Sequence, residues 1–525
     1  MNLRDILTPI LDRFPMVERP GWHVHFKTKL GWTLGILILY FALGNVPLFG
    51  LAPESLDLFG RWRALFAGER FSLTALGIMP IVDASIVLQL LVGAGILKLD
   101  LSNSSDQAFY QNIQKILVVV FALFMSMVYV LGFYKPDAGI ATKLGVSLHF
   151  ISTLLFIQIF IGGMLIYFMD EVVSKWGIGS GVSLFIIAGV SQQIITGLIN
   201  WQPDPHHYGL SVGVIPRWFQ LLYPGSPLHV EAYEILEGGI TFLFEHHLIA
   251  LISTIAVFFI VVYLESTRLE IPLAHSMARG ARGKFPIKLL YASVLPMILV
   301  RALQASIQGF GKFIALKISA ITADQAANFT RYTYSSFLGV YIQEIKRDAT
   351  TGVIIENTGL IPVSGLMYYL EPIYSPWDWF LPLVHLQEIY HNIAGWQIAT
   401  RLAVDLSFMV IGGAIFALFW INTTGMGAKD VARQIHRSGL QIPGHRRNPA
   451  TIERMMEGYI PRIAIMGGAL LGGLCVLANI FGTLGQASGT GLLLAVSIAY
   501  NLYEQLASEQ MMEMYPAIRR FFGEE

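Results

Sequence analysis

Ten runs of roughly 20 predominantly apolar residues, at about 30–47, 76–97, 113–134, 143–169, 179–200, 247–265, 288–318, 400–423, 461–481 and 485–507, constrain this chain more than any other feature. Twenty helical residues cover about 30 Å, the thickness of a bilayer's hydrocarbon core. In lipid every backbone N–H and C=O must be paired within the protein, so runs of this length select α-helices. The expected fold class is therefore an all-α polytopic membrane protein with ten transmembrane helices. Composition agrees, because 13% charged residues against 54% hydrophobic ones falls far below the roughly 25% charge of a soluble domain. Lys and Arg number 35 and so do Asp and Glu, so no overall field recruits nucleic acid and charge arguments must be local. The single cysteine, Cys475, leaves neither a disulfide framework nor a thiol cluster for a metal.

Residues 1–29 are interrupted by charges and prolines and read as a cytoplasmic amphipathic lead-in, not a signal peptide. Residues 30–200 form a first half of five spans and 244–507 a second half, with 508–525 as a tail. Two segments rich in Pro, Trp, Tyr and His, 201–243 and 319–395, read as folded external parts. The lead-in carries five Lys and Arg, the 266–288 loop five and the 425–462 loop seven. The positive-inside rule then puts both termini, and the loops 266–288 and 425–460, in the cytoplasm of a cell-membrane protein.

The halves echo each other. The fifth span opens GIGSGVSLFIIAGVS from Gly177 and the tenth GQASGTGLLLAVS from Gly485, while the second carries Gly77-Ile78-Met79-Pro80 and the seventh Val294-Leu295-Pro296-Met297. Five is odd, so two such copies run in opposite directions, an inverted repeat. In folds of that kind the Gly- and Pro-bearing helices at matching positions point to the functional centre.

No phosphate-binding loop, zinc-protease helix, nucleophile elbow or run of buried carboxylates occurs, so no enzyme chemistry, cofactor or metal site is expected. The pairs His206-His207 and His246-His247 read as interfacial anchors. The two basic cytoplasmic loops interleave Arg and Lys with Gly, at Arg279, Arg282 and Lys284 and again at Arg446 and Arg447, a pattern suited to docking on phosphates.

Strings in most of the ten spans, in order, carry a resemblance over nearly the whole chain. They include GIMPIVDASIVLQLLVGAGI, EIPLAHSMARGARGKFPIKLLYASVLPMIL, TTGMGAKDVARQI, LANIFGTLGQASGTGLLLAVSIAYNLYEQL and YPAIRRFF. The chain resembles the SecY family, the large subunit of the Sec translocon, in its archaeal form. The resemblance implies two inverted five-helix halves around an hourglass pore that passes unfolded polypeptides and releases hydrophobic segments sideways. The waist positions fall on Ile78, Val82, Val182, Ile186, Ile298 and Leu494. A plug falls at about 55–69, with Leu58, Phe59, Trp62, Leu65 and Phe66 as its apolar residues. The implied lateral gate lies between the second and seventh spans at Asp83, Arg301 and Ser306, with Met125 opposite. Ribosome contacts fall on Arg279, Arg282, Lys284, Arg446 and Arg447. Implied partners are a SecE or gamma-type subunit, a beta-type small subunit, the ribosome, signal sequences with their nascent chains, and the lipid bilayer.

Three departures from the family pattern stand out. The plug carries Arg61 and Arg63 where the family is small and apolar. The gate holds Asp83 and Ser306 in place of a hydroxyl and an amide, and Met125 in place of an acid. Arg301 adds a cation one turn beyond the waist. Charges in membrane helices are usually paired, so either Asp83 and Arg301 form a salt bridge across the closed gate or each faces the water-filled funnel on its own. The rival reading, a secondary transporter built on an inverted repeat, requires a polar substrate cage at the midplane.

Overall fold

The computed structural model describes residues 17–22, 24–57, 60, 63, 65–93, 95–97, 99, 104–204, 209–226, 230, 232–275, 282–291, 295–325, 329–347, 354–357, 359–384, 393–437, 440–441, 449–485 and 487–514. Each apolar run corresponds to a helix. The first half holds α1 (Phe26–Gly44), α2 (Met79–Gly93), α3 (Ser104–Val128), α4 (Leu148–Trp176) and α5 (Gly181–Ile199). The second holds α6 (Leu248–Ser266), α7 (Leu295–Ile318), α8 (Gly395–Thr423), α9 (Pro449–Phe481) and α10 (Gly489–Met514). The largest departure from the expected boundaries is α9, which begins well before residue 461 and carries Pro461 inside it.

Local chemistry sets several helix starts. The Ser147 hydroxyl accepts a hydrogen bond from the Phe150 amide at 3.3 Å and caps α4. Pro80 and Pro296 are the second residues of α2 and α7, where a missing N–H costs nothing because the first turn has no intrahelical acceptor. The matching prolines therefore begin the two helices and do not kink them.

Among the described residues seven helices are long and apolar enough to cross a membrane, and α2, α7 and α10 are not among them. The cause is position. Helix α2 has 15 residues, and α7 carries Arg301, Gln304 and Gln308, all buried. A helix enclosed by other helices meets little lipid, so its length and polarity are relaxed.

The halves meet on two sides. Helix α2 packs on α7 and α8, while α5 packs on α10. At the second seam a Cβ on Gly197 would lie 2.2 Å from the Gly485 backbone nitrogen, so the two chains approach closely only because both positions lack side chains. One apolar core runs through both halves.

The extramembrane parts add strands to the helical body. Strands β1 (Arg268–His275) and β2 (Arg282–Lys288) form a hairpin in the first basic loop. Five antiparallel strands fill much of the segment 319–395: β3 (Ala320–Gln325), β4 (Phe329–Ser336), β5 (Gly339–Arg347), β6 (Ile354–Asn357) and β7 (Ile361–Ser364). Their order is β3-β4-β5-β6, with β7 also on β5. A last short strand, β8 (Leu440–Gln441), comes from the second basic loop and pairs with β1.

The connection between the halves is organised by Arg217, whose side chain is buried. It donates to the Ser211 carbonyl and the Asp204 carboxylate, each at 2.8 Å. Burial pushes its guanidinium below the usual value and the Asp204 carboxylate pulls it back up. His246 packs on Phe242 at 4.2 Å between ring centres, whereas His206 and His207 lie outside the described residues.

Candidate pore and lateral gate

The six aliphatic residues expected at the waist lie at or within the first two turns of four helices: Ile78 and Val82 at α2, Val182 and Ile186 on α5, Ile298 on α7, and Leu494 on α10. Five are at most 4% exposed, and Val182 packs against the same core. Helices α2 and α10 approach this level from one face of the molecule, α5 and α7 from the other.

Cavities open on both sides of the ring. One of about 440 Å³ is lined by Asp57, Arg63, Arg70, Trp377, Thr483 and Ser488, among others. The other, about 470 Å³, is lined by Ser180, Leu184, Leu295, Ile498, Asn501 and Glu504, among others. Along the chain into α10, Thr483, Gly485, Ala487 and Ser488 line the first cavity, Leu494 lies in the core, and Ile498, Asn501, Glu504 and Ser508 line the second. Two cavities of mixed polar and apolar lining separated by a buried aliphatic layer describe an hourglass.

The segment expected to plug it abuts the ring. Leu65 and Phe66 are 2% and 1% exposed. The Phe66 carbonyl accepts a hydrogen bond of 2.8 Å from the amide of Ile78, itself a ring residue. Gly77 makes this possible, since it has φ +55° and a Cβ there would lie 2.0 Å from the Phe66 oxygen. Tyr40 on α1 donates its hydroxyl to the Ala67 carbonyl at 3.0 Å. Leu58, Phe59, Trp62 and Arg61 lie outside the described residues. Arg63 pairs with Asp57, and although burial lowers its pKa, the Glu69 carboxylate opposes that shift. A paired arginine is compatible with the buried seat of Leu65 and Phe66.

Between α2, α3 and α7 lies an apolar crevice of about 480 Å³, lined by Met79, Ile86, Phe121, Phe124, Leu303 and Phe313 among others. Three expected gate residues line it: Asp83, Met125 and Ser306. The Ser306 hydroxyl donates to the Asp83 carboxylate at 3.3 Å, a bond from α7 to α2.

The Asp83–Arg301 bridge is not formed. Arg301 points away from the gate to Asp405 on α8, with Nη1 2.8 Å from Oδ1 and both side chains at most 2% exposed. Asp405 is the residue that the sequence reading missed. A lone acid in the apolar run RLAVDLSFMV, with Arg401 one turn before it, is the signal that could have found it.

Of the basic residues, Arg282 and Lys284 lie on β2, where Arg282 pairs with Ala274 and Lys284 with Pro272 in the backbone register. Arg279, Arg446 and Arg447 lie outside the described residues. The pairings Ala274–Gln441 and His275–Leu440 join the two basic loops in one sheet. At its base, Glu504 of α10 accepts ion pairs from Arg268 at 2.9 Å and Lys288 at 2.5 Å.

A helical body of membrane-spanning length, with a buried aliphatic layer between two cavities, has the features of a channel. The SecY family model matches residues 72–503, and a model for the plug domain of Sec61p matches residues 38–70. The protein translocase subunit SecY of Archaeoglobus fulgidus is 50% identical over 99% of this chain and 98% of its own length. A structure described as "The structure of a protein conducting channel" superposes with a TM-score of 0.72 at 33% identity, over 98% of this chain and 99% of that one. Another, "Sec61 in the Canine ribosome-channel complex from the endoplasmic reticulum", gives 0.69 at 33% identity over the same shares. The chain belongs to the SecY family.

Proposed function

We propose that this chain is the pore-forming subunit of a protein translocase. Unfolded polypeptides pass through the ring at Ile78, Val82, Val182, Ile186, Ile298 and Leu494, and hydrophobic segments leave sideways between α2 and α7. The observation that carries the reading is the buried aliphatic layer between two cavities whose linings carry polar side chains. A ring of branched apolar side chains too narrow for a hydrated ion dewets and blocks leakage, while its rotamers part around an extended chain. The residues around Leu65 and Phe66 cap this ring from outside, and the Asp83–Ser306 bond holds the side gate shut. A secondary transporter needs a polar cage at this level; the aliphatic ring offers none.

The chain does no chemistry of its own, so directional work comes from a partner. A ribosome docking on the cytoplasmic β1–β2–β8 sheet fits the joined basic loops and the likeness to a channel solved on a ribosome. This reading puts both termini in the cytoplasm. A SecE or gamma-type subunit and a beta-type subunit complete the assembly, as the family suggests. Replacing Arg279, Arg282 and Lys284 together by Glu should weaken ribosome cosedimentation at least about tenfold at moderate salt, the scale of several lost phosphate contacts; unchanged binding removes this loop from the interface.

The test of the function is reconstitution. Vesicles holding the complex purified from native membranes should import a signal-bearing precursor supplied by translating ribosomes, and should pass no sugars, amino acids or nucleosides. Uptake of one such solute without precursor import overturns the reading.

A further inference from the structure

Behind the ring lies a buried polar network that sealing by aliphatic side chains does not itself require. Arg301, 1% exposed, sits one turn along α7 from the ring residue Ile298. Its Nη1 donates to Asp405 Oδ1 on α8 at 2.8 Å and to Gln304 Oε1 at 2.7 Å. Its Nε donates at 3.2 Å to the Thr490 hydroxyl, and Thr490 lies one turn before the ring residue Leu494 on α10. Gln304 donates to Asp405 Oδ1 at 3.2 Å and to the Leu370 carbonyl at 3.1 Å. The Ile373 amide donates to Asp405 Oδ2 at 3.4 Å.

A buried ion pair repays its desolvation poorly, so it is weak evidence for stability. What this one does geometrically is specific. The guanidinium spans three helices, and its bond to Thr490 joins α7 to α10 one turn away from a ring residue on each. A planar guanidinium offers donors in a fixed fork, so when Asp405 holds one arm the direction of the other is set.

We propose that Arg301 is a positioning residue for the seal. Oriented by Asp405, it ties α7 to α10 through Thr490 and holds Ile298 against Leu494 in the closed channel. Opening then parts α2 from a block made of α7, α8 and α10, and the staple stays made while the Asp83–Ser306 bond breaks. The inference rests on the ring reading above.

The test is basal conductance of the complex, purified from native membranes and placed in planar bilayers without substrate. Thr490→Val removes the hydroxyl with little change of shape and leaves the Arg301–Asp405 pair intact. It should raise the leak about fivefold, the population change that one lost hydrogen bond brings. Melting temperature and precursor import should hold at the parent level. Arg301→Lys keeps a cation for Asp405 but cannot hold the fork, so it should leak too, and Thr490→Ser should seal. Ile298→Gly is the control for the ring itself. If Ile298→Gly leaks while Thr490→Val and Arg301→Lys both seal like the parent, the staple is wrong and the ring stands. If Ile298→Gly also seals, the ring reading falls and the staple with it. A Thr490→Val leak that comes only with a lower melting temperature, and that Thr490→Ser shares, assigns the leak to lost packing and not to the hydroxyl, and overturns the proposal.

Discussion

Ser306 and Gly77 show how much of the closed state rests on single contacts. The bond from Ser306 to Asp83 crosses from α7 to α2 at 3.3 Å, and an ordinary hydrogen bond contributes about 0.5–1.5 kcal/mol net. Ser306→Ala should therefore bias the gate towards opening by roughly 2- to 10-fold. The expected outcome is import of precursors whose signal sequences are too weakly hydrophobic for the parent, measured over a graded series. An unchanged hydrophobicity threshold removes this bond from gating. Gly77→Ala meets both a positive φ and the Phe66 carbonyl 2.0 Å from the added Cβ, so the plug segment must move off Ile78. Basal conductance should rise, and a channel as tight as the parent would show that this seat does not matter for the seal. Sequence could single out Asp83 and Arg301 because isolated charges in apolar runs are costly. It could not pair them, because the choice between Asp83 and Asp405 depends on which way α7 is rotated, and periodicity leaves that open when buried residues lie on several faces of α7.

Elements were legible in proportion to their contact with lipid. Every apolar run became a helix, and the inverted pairing of Pro80 with Pro296 and of the Gly-rich starts of α5 and α10 was readable as a repeat. The strands were not. Segments such as FTRYTYSS alternate aromatic and polar residues only over Tyr332-Thr333-Tyr334, a weaker signal than a 20-residue run and easily read as generic external chain. Strand β8 contributes only two residues, so nothing local announced that the two basic loops share a sheet. Leu440→Pro should remove the β8 pairing while leaving every charge in place, and ribosome binding should weaken; full affinity would mean the loops act separately. The convergence of helix starts has its own consequence. Four helix N-termini approach the ring, each carrying a partial positive charge. The leak through Ile298→Gly should therefore favour chloride over potassium, read as the reversal potential across a KCl gradient. A cation preference would contradict this electrostatic picture.

At the scale of the whole molecule, two halves enclose the ring and meet along two seams, α2 with α7 and α5 with α10. The second seam is sealed by the Gly197–Gly485 approach, and the chain linking the halves is clasped by the buried Arg217. The first is closed chiefly by side chains around an apolar crevice and one polar bond. That asymmetry makes α2–α7 the side that opens and the opposite side the hinge. Site-specific crosslinking on a stalled translocation intermediate decides whether a nascent chain passes through this aliphatic layer, with photoreactive residues placed one at a time at Ile78, Ile186, Ile298 and Leu494, and at Ile252 on the outer face of α6. One short stretch of the nascent chain should crosslink to all four ring positions and not to Ile252. Crosslinks absent from the ring, or no stronger there than at Ile252, would contradict the account.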